Sequence, residues 1–158
     1  MRVTIVLPVK DPCQAKSRLA PLLSGSERSR LALAMFSDTA RALEGPELPV
    51  VVVTGSGTIA RLASRRGWRI LWDAEQQSES GSVDLASGRL ASEGVRSVLR
   101  LPADIPLVQP RDIRTLAESL EGPGSTVLTP SRDRWGTNAI LRSPPGLYPS
   151  SFGHDSFR

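Results

Sequence analysis

Val3-Thr4-Ile5-Val6-Leu7-Pro8-Val9-Lys10-Asp11-Pro12-Cys13-Gln14-Ala15-Lys16-Ser17-Arg18 sets a short apolar run directly against a cationic loop. Five apolar or β-branched residues stopped by proline read as a strand buried on both faces. The same beat returns along the chain. Ser24-Gly25-Ser26-Glu27 has capping-box spacing and opens a helix to about Leu43, with Ala32, Met35, Phe36, Thr39 and Leu43 on one face and Gly45-Pro46 as its stop. Pro49 to Thr54 is a second buried strand, Thr58 to Arg66 a short helix, and Trp68 to Trp72 a third strand. Ser82 to Glu93 reads as a helix, Val95 to Leu101 as a strand, and Pro110 to Leu120 as a helix with proline in its first turn. Thr126 to Thr129 and Asn138 to Arg142 are the last strands, before a stretch rich in Pro, Gly and Ser.

Alternating strands and helices imply an α/β fold, with a mostly parallel sheet covered on both faces. Right-handed crossovers put the strand-to-helix loops on one edge, and a ligand belongs where the strand order reverses. Lys10, Lys16, Arg18, Asp73, Ser80 to Asp84 and Asp104 all fall in such loops.

Lysine and arginine total 20, yet Lys10 and Lys16 are the only lysines and share the first loop. Either this is a polyphosphate site or the two fell together on a solvated loop. Lysine is a compact point charge on a flexible stem, which suits a mobile phosphate chain. The loop has neither Walker A nor dinucleotide-fingerprint glycines, so side-chain charge would hold the phosphates.

At 158 residues the chain is expected to be a single domain spanning 1–158. A core of this size buries roughly 70% of the unfolded chain's surface. The net charge of +4 invites a nucleic-acid reading. The arginines are scattered, however, and lack interleaved aromatics for stacking on bases, so no nucleic-acid partner is expected. The lone Cys13 excludes an internal disulfide and a multi-cysteine metal site. With no signal peptide and no stretch of membrane-spanning length, the expectation is a cytoplasmic protein with no membrane partner.

Asp104 follows Val98-Leu99-Arg100-Leu101, so its carboxylate emerges at a strand end, where Ile105-Pro106 turns the chain. Magnesium takes one or two carboxylates and leaves its other positions to water and phosphates, which makes Asp104 the candidate metal ligand. A plain turn-capping role is the alternative. Arg134-Trp135-Gly136-Thr137-Asn138 offers a hydroxyl and an amide beside a glycine that lets a ligand approach. His154, the sole histidine, reads as a surface residue, and covalent catalysis is disfavoured.

Four segments in order resemble the phospholactate guanylyltransferase family, which serves assembly of the deazaflavin coenzyme F-420. They are Ala15-Lys16-Ser17-Arg18-Leu19-Ala20-Pro21, Leu101-Pro102-Ala103-Asp104-Ile105-Pro106-Leu107, Gly136-Thr137-Asn138-Ala139, and Phe152-Gly153-His154-Asp155-Ser156-Phe157. The resemblance implies a nucleotidyltransferase fold of the glycosyltransferase-A-like, Rossmann-like kind, a three-layer sandwich around a mixed sheet. It implies transfer of GMP from GTP to phosphoenolpyruvate, 2-phospho-L-lactate or 3-phosphoglycerate, with release of pyrophosphate.

By that resemblance Lys16, Arg18 and Asp104 are catalytic, and Asp104 holds Mg2+. Lys10, Lys16, Arg18, Ser82 and Asp84 meet the nucleotide, while Thr137, Asn138, Gly153 and Ser156 hold the small phosphorylated carboxylic acid. A homodimer is compatible with it. A nucleotidyltransferase using another nucleotide or a sugar-phosphate acceptor, and a catalytically silent nucleotide-binding domain, are the alternatives. The family continues through a helix to Asp-x-Asp-Thr-Pro, which supplies a second metal carboxylate. The expectation here is that this C-terminal segment is lacking: either the sequence is truncated, or another carboxylate such as Asp84 or Asp155 substitutes, or the metal site is incomplete. The family's Gly-Leu-Asn segment near guanine is here Ser80-Gly81-Ser82-Val83-Asp84, and the loop before Thr137 is shorter than the family's Gly-x-Gly-Thr form.

Overall fold

A computed structural model describes residues 3–153. Six strands make one sheet: β1 (Val3–Pro8), β2 (Val50–Thr54), β3 (Arg69–Trp72), β4 (Ser97–Arg100), β5 (Ser125–Pro130) and β6 (Thr137–Ser143). Their spatial order is β3-β2-β1-β4-β6-β5. β1 lies between β2 and β4, parallel to both, with Ile5 opposite Val50 on one side and Leu99 on the other. β6 runs antiparallel to β4 and to β5, so the sheet is mixed. The chain leaves β1 toward β2 and later returns to β1's other side as β4. That reversal makes the ends of β1 and β4 the topological switch point.

The helices are α1 (Gly25–Glu44), α2 (Gly57–Ser64), α3 (Glu79–Ser92) and α4 (Pro110–Glu118). One face of the sheet buries Ile5, Leu7, Val52 and Leu99 with Phe36 and Leu43 of α1, Ile59 of α2 and Ile113 of α4. The other face packs Val6, Val51, Val53 and Val98 on Ala86 and Leu90 of α3. This is the three-layer α/β architecture that the alternating pattern implies. The core strands read as unbroken apolar runs because both of their faces are covered. Among the described residues, no helix is long and apolar enough to cross a membrane.

Helix ends follow local hydrogen-bonding chemistry. Ser24 accepts from Glu27 N at 3.3 Å while the Glu27 carboxylate accepts from Ser24 N at 2.8 Å, which is the capping box read from the sequence. α3 begins three residues before the expected Ser82. The Ser78 hydroxyl accepts from Gly81 N at 3.0 Å and starts the helix at Glu79, a cap hidden in the polar stretch before it.

The α3 face also buries two arginines. Val98 lies opposite Arg142 and Arg100 opposite Ile140, which puts both guanidiniums on that face. Arg142 is fully buried and donates to Tyr148 O at 2.7 Å and Ser87 Oγ at 3.1 Å. Burial pushes the Arg142 pKa down, and Asp84 at 4.0 Å opposes that shift. Arginine's ordinary value is so high that the side chain stays charged at neutral pH.

Candidate active site

The loop after β1 is shaped by its own side chains. Asp11 accepts from Cys13 N at 2.8 Å and starts a one-turn 3-10 helix (Pro12–Gln14) with proline in its first turn. Lys16 then takes a left-handed conformation (φ 57, ψ 34) before a second 3-10 turn (Ser17–Leu19). That reversal carries its ammonium across the switch point, where Nζ donates to Asp104 Oδ2 at 2.5 Å. Asp104 stands just beyond β4, so this contact joins the ends of the two central parallel strands.

The opposite wall comes from the segment between β3 and α3. Asp73 accepts from Gln76 N at 3.1 Å through Oδ1 and from Ser82 Oγ at 2.5 Å through Oδ2. Gln76 Nε2 donates to Val9 O at 2.9 Å and ties the segment to the end of β1. Gly55 permits this packing, since a Cβ there would lie 2.5 Å from Asp73 O. Between the walls is an open cavity of about 290 Å³. Its lining includes Lys10, Lys16 and Asp104 from the segments after β1 and β4, Gln76, Glu79 and Ser82 from the β3–α3 segment and the first turn of α3, and the apolar Phe36 and Ile59.

Four of the residues singled out in the sequence line this cavity: Lys10, Lys16, Ser82 and Asp104. Arg18 lies exposed in the second 3-10 turn, outside the lining. Asp84 is also outside it, because its carboxylate accepts from Ser150 N at 3.0 and 3.1 Å and faces Arg142. Thr137 opens β6 and its carbonyl accepts from Arg100 Nη1 at 3.0 Å, while the Asn138 side chain is exposed. Gly153 (φ 146) closes the described chain. Ser156, like His154 and Asp155, lies outside the described residues.

Sequence reasoning missed Glu79 and Arg100. Arg100 is 3% exposed at the end of β4. It pairs with Glu79, donates to Thr137 O, and lies 4.1 Å from the Phe152 ring centre. Phe152 N in turn donates to Ser80 Oγ at 2.8 Å. The available signal was a lone charge inside an apolar strand, which must find a partner when buried.

Among the described residues, no group of three His, Cys, Asp or Glu could hold a metal ion. Asp104 offers one half-exposed carboxylate beside amines suited to phosphates. That donor set fits magnesium arriving on a nucleotide, which takes most of its ligands from phosphate and water. It does not fit an ion caged by protein alone.

The family model described as "Guanylyl transferase CofC like" matches residues 3–157. A phosphoenolpyruvate guanylyltransferase of Rubrobacter xylanophilus is 39% identical, over 99% of this chain and 77% of its own length. A 3-phospho-D-glycerate guanylyltransferase of Colwellia psychrerythraea is 35% identical, over 99% of this chain and 74% of its own. A 2-phospho-L-lactate guanylyltransferase of Methanothermobacter thermautotrophicus is 30% identical, over 99% and 69%. Among solved structures, one assigned as a nucleotide-diphospho-sugar transferase of Desulfovibrio desulfuricans superposes with a TM-score of 0.74 at 16% identity, covering 91% of this chain and 64% of that one. A nucleotidyl transferase of Methanothermobacter thermautotrophicus gives 0.62 at 19% identity, covering 92% and 73%. These two likenesses concern the fold alone.

Proposed function

The chain belongs to the CofC-like guanylyl transferase family, and from that membership we propose that it transfers GMP from GTP to the phosphate of a small phosphorylated carboxylic acid, in assembly of coenzyme F-420. Phosphoenolpyruvate, 2-phospho-L-lactate and 3-phospho-D-glycerate are the acceptors that the relatives' names provide. The observation that carries the reading is the Lys16–Asp104 contact at the switch point. It sets a cation and a carboxylate where two polyanions have to meet.

The chemistry asks for little beyond this. An acceptor phosphate oxygen attacks the α-phosphorus of GTP, a new P–O bond forms, and the bond to the bridging oxygen breaks to release pyrophosphate. The attacking oxygen is already ionised, so the protein needs neither a nucleophile of its own nor a general base. Its task is alignment and neutralisation of like charges. Lys10 and Lys16 serve the triphosphate from the cavity wall, and Arg18 serves it only if the second 3-10 turn shifts. Magnesium, held by Asp104, would supply charge neutralisation on the phosphates.

On the acceptor side, Thr137, Asn138, Gly153 and Ser156 remain the proposed contacts. Arg100 supports that assignment, since it ties the start of β6 to Phe152, next to Gly153. Ser82 faces the nucleotide from the other wall. Asp84 serves indirectly by fixing Ser150, on the way to the same acceptor segment.

The test is product analysis. The chain is incubated with GTP, magnesium and each of the three acids in turn, and products are resolved by mass spectrometry. A guanylylated acid with an equimolar amount of pyrophosphate is expected from at least one of them. Intact GTP in all three mixtures contradicts the proposal.

A further inference from the structure

Glu79 is an anomaly in a cavity that receives polyanions. Among the described lining residues the carboxylates are Asp104 and Glu79. Asp104 has a use as a cation ligand, whereas Glu79 would only repel phosphate or a phosphoacid. Any substrate part that meets it has to be neutral and rich in N–H or O–H donors.

Its setting is rigid. Glu79 begins α3, and the guanidinium it pairs with is the almost fully buried Arg100. Arg100 cannot swing away, because Thr137 O and the Phe152 ring hold it from other directions. A carboxylate offers about four acceptor positions, and one arginine N–H leaves most of them for a ligand.

Resting on the guanylyltransferase reading, we infer that Glu79, clamped by Arg100, reads the Watson–Crick edge of guanine by accepting from N1–H and the N2 amine. Guanine presents these two donors side by side, which matches a carboxylate in bidentate geometry. Adenine and cytosine present a ring-nitrogen acceptor at the matching position, which an anion repels. Uracil offers one N–H between two carbonyls. With the amines of the β1 loop committed to phosphate, the base is left the part of the lining that the start of α3 supplies, which includes Glu79. Ribose hydroxyls are also donors, but single neutral acceptors such as Ser82 or Gln76 satisfy them. The adjacent N–H pair calls for the fork.

Pairing with a buried arginine would by itself give Glu79 a purely architectural task, so the test has to move selectivity and not only stability. Glu79→Gln keeps an oxygen for Arg100 and replaces one acceptor with an N–H donor. Xanthine carries a C2 carbonyl where guanine carries the amine, and so complements the amide. Binding of GTP, ITP, XTP and dGTP, each with magnesium, is measured by thermal shift and calorimetry in wild type and variant, together with turnover.

In wild type, GTP is expected to bind about tenfold tighter than ITP, the worth of one good hydrogen bond to a charged group. In the variant the GTP-to-XTP preference should fall by about a hundredfold or more, because one bond is lost and another gained. Unchanged ratios among the bases, with or without a lower melting temperature, overturn the inference. So does a loss confined to GTP against dGTP, which would assign Glu79 to the ribose. Should wild type prefer ATP or CTP over GTP, the guanylyltransferase reading fails first, and separately.

Discussion

Lys16 holds Asp104 in the open, with their side chains 22% and 52% exposed, so the contact does little for the fold. Exposed pairs of this kind contribute at most about 1 kcal/mol. Lys16→Ala should therefore leave the melting temperature within a few degrees of wild type. Loss of a cation aimed at developing phosphate charge is worth about a hundred- to a thousandfold in turnover. A variant that melts early and keeps its rate would assign Lys16 to folding. The lysine loop and Asp104 were legible in the sequence because both follow apolar runs that had to be strands. Glu79 and Arg100 were not. Arg100 reads as one more residue of Val98-Leu99-Arg100-Leu101, and nothing local says that its partners come from α3, β6 and residue 152. Asp84 shows the converse, since its place beside Ser82 in the sequence does not carry it to the same wall.

Helix α3 bears Glu79 at its start and is moored at its other end. Glu93, just past its last turn, accepts from Arg69 of β3, with Nη2 to Oε1 at 2.8 Å, and from Arg89 Nε at 2.8 Å. These guanidiniums, Arg69 first, hold the Glu93 carboxyl down at about 2, from an ordinary value of 4.5. A carboxylate whose folded pKa is depressed stabilises the fold above its unfolded pKa, and the contribution fades as pH falls through the folded one. The melting-temperature gap between wild type and Glu93→Gln should accordingly be constant above about pH 5 and close between pH 4.5 and 2. A gap that persists undiminished at pH 2 would show that the carboxylate's charge is not what moors the helix. Most elements were legible to within a few residues, since proline, glycine and capping residues mark their ends. The start of α3 was missed because Ser78 caps it from a run of polar residues with no apolar period to announce a helix. The antiparallel insertion of β6 between β4 and β5 leaves no trace in strand periodicity. The family resemblance supplied the mixed sheet.

At the scale of the molecule, a mixed sheet reverses its strand order between β1 and β4 and gathers charge at that reversal. A ligand that binds only the folded chain raises its stability by mass action, about 2.7 kcal/mol at a hundred times its dissociation constant. For a chain of this length that amounts to roughly 5–10 °C in melting temperature. GTP with magnesium should produce this shift, and ATP and CTP at equal concentration should fall well short of it. An equal response to all three would remove the case for guanine. Pyrophosphate release goes further, because it separates turnover from binding and carries the charge-meeting claim directly. With GTP, magnesium and an acceptor from the three-carbon set, wild type is expected to release pyrophosphate only when acceptor is present. Asp104→Asn, equally well folded, should release none above background, and release at the wild-type rate by that variant would contradict the account.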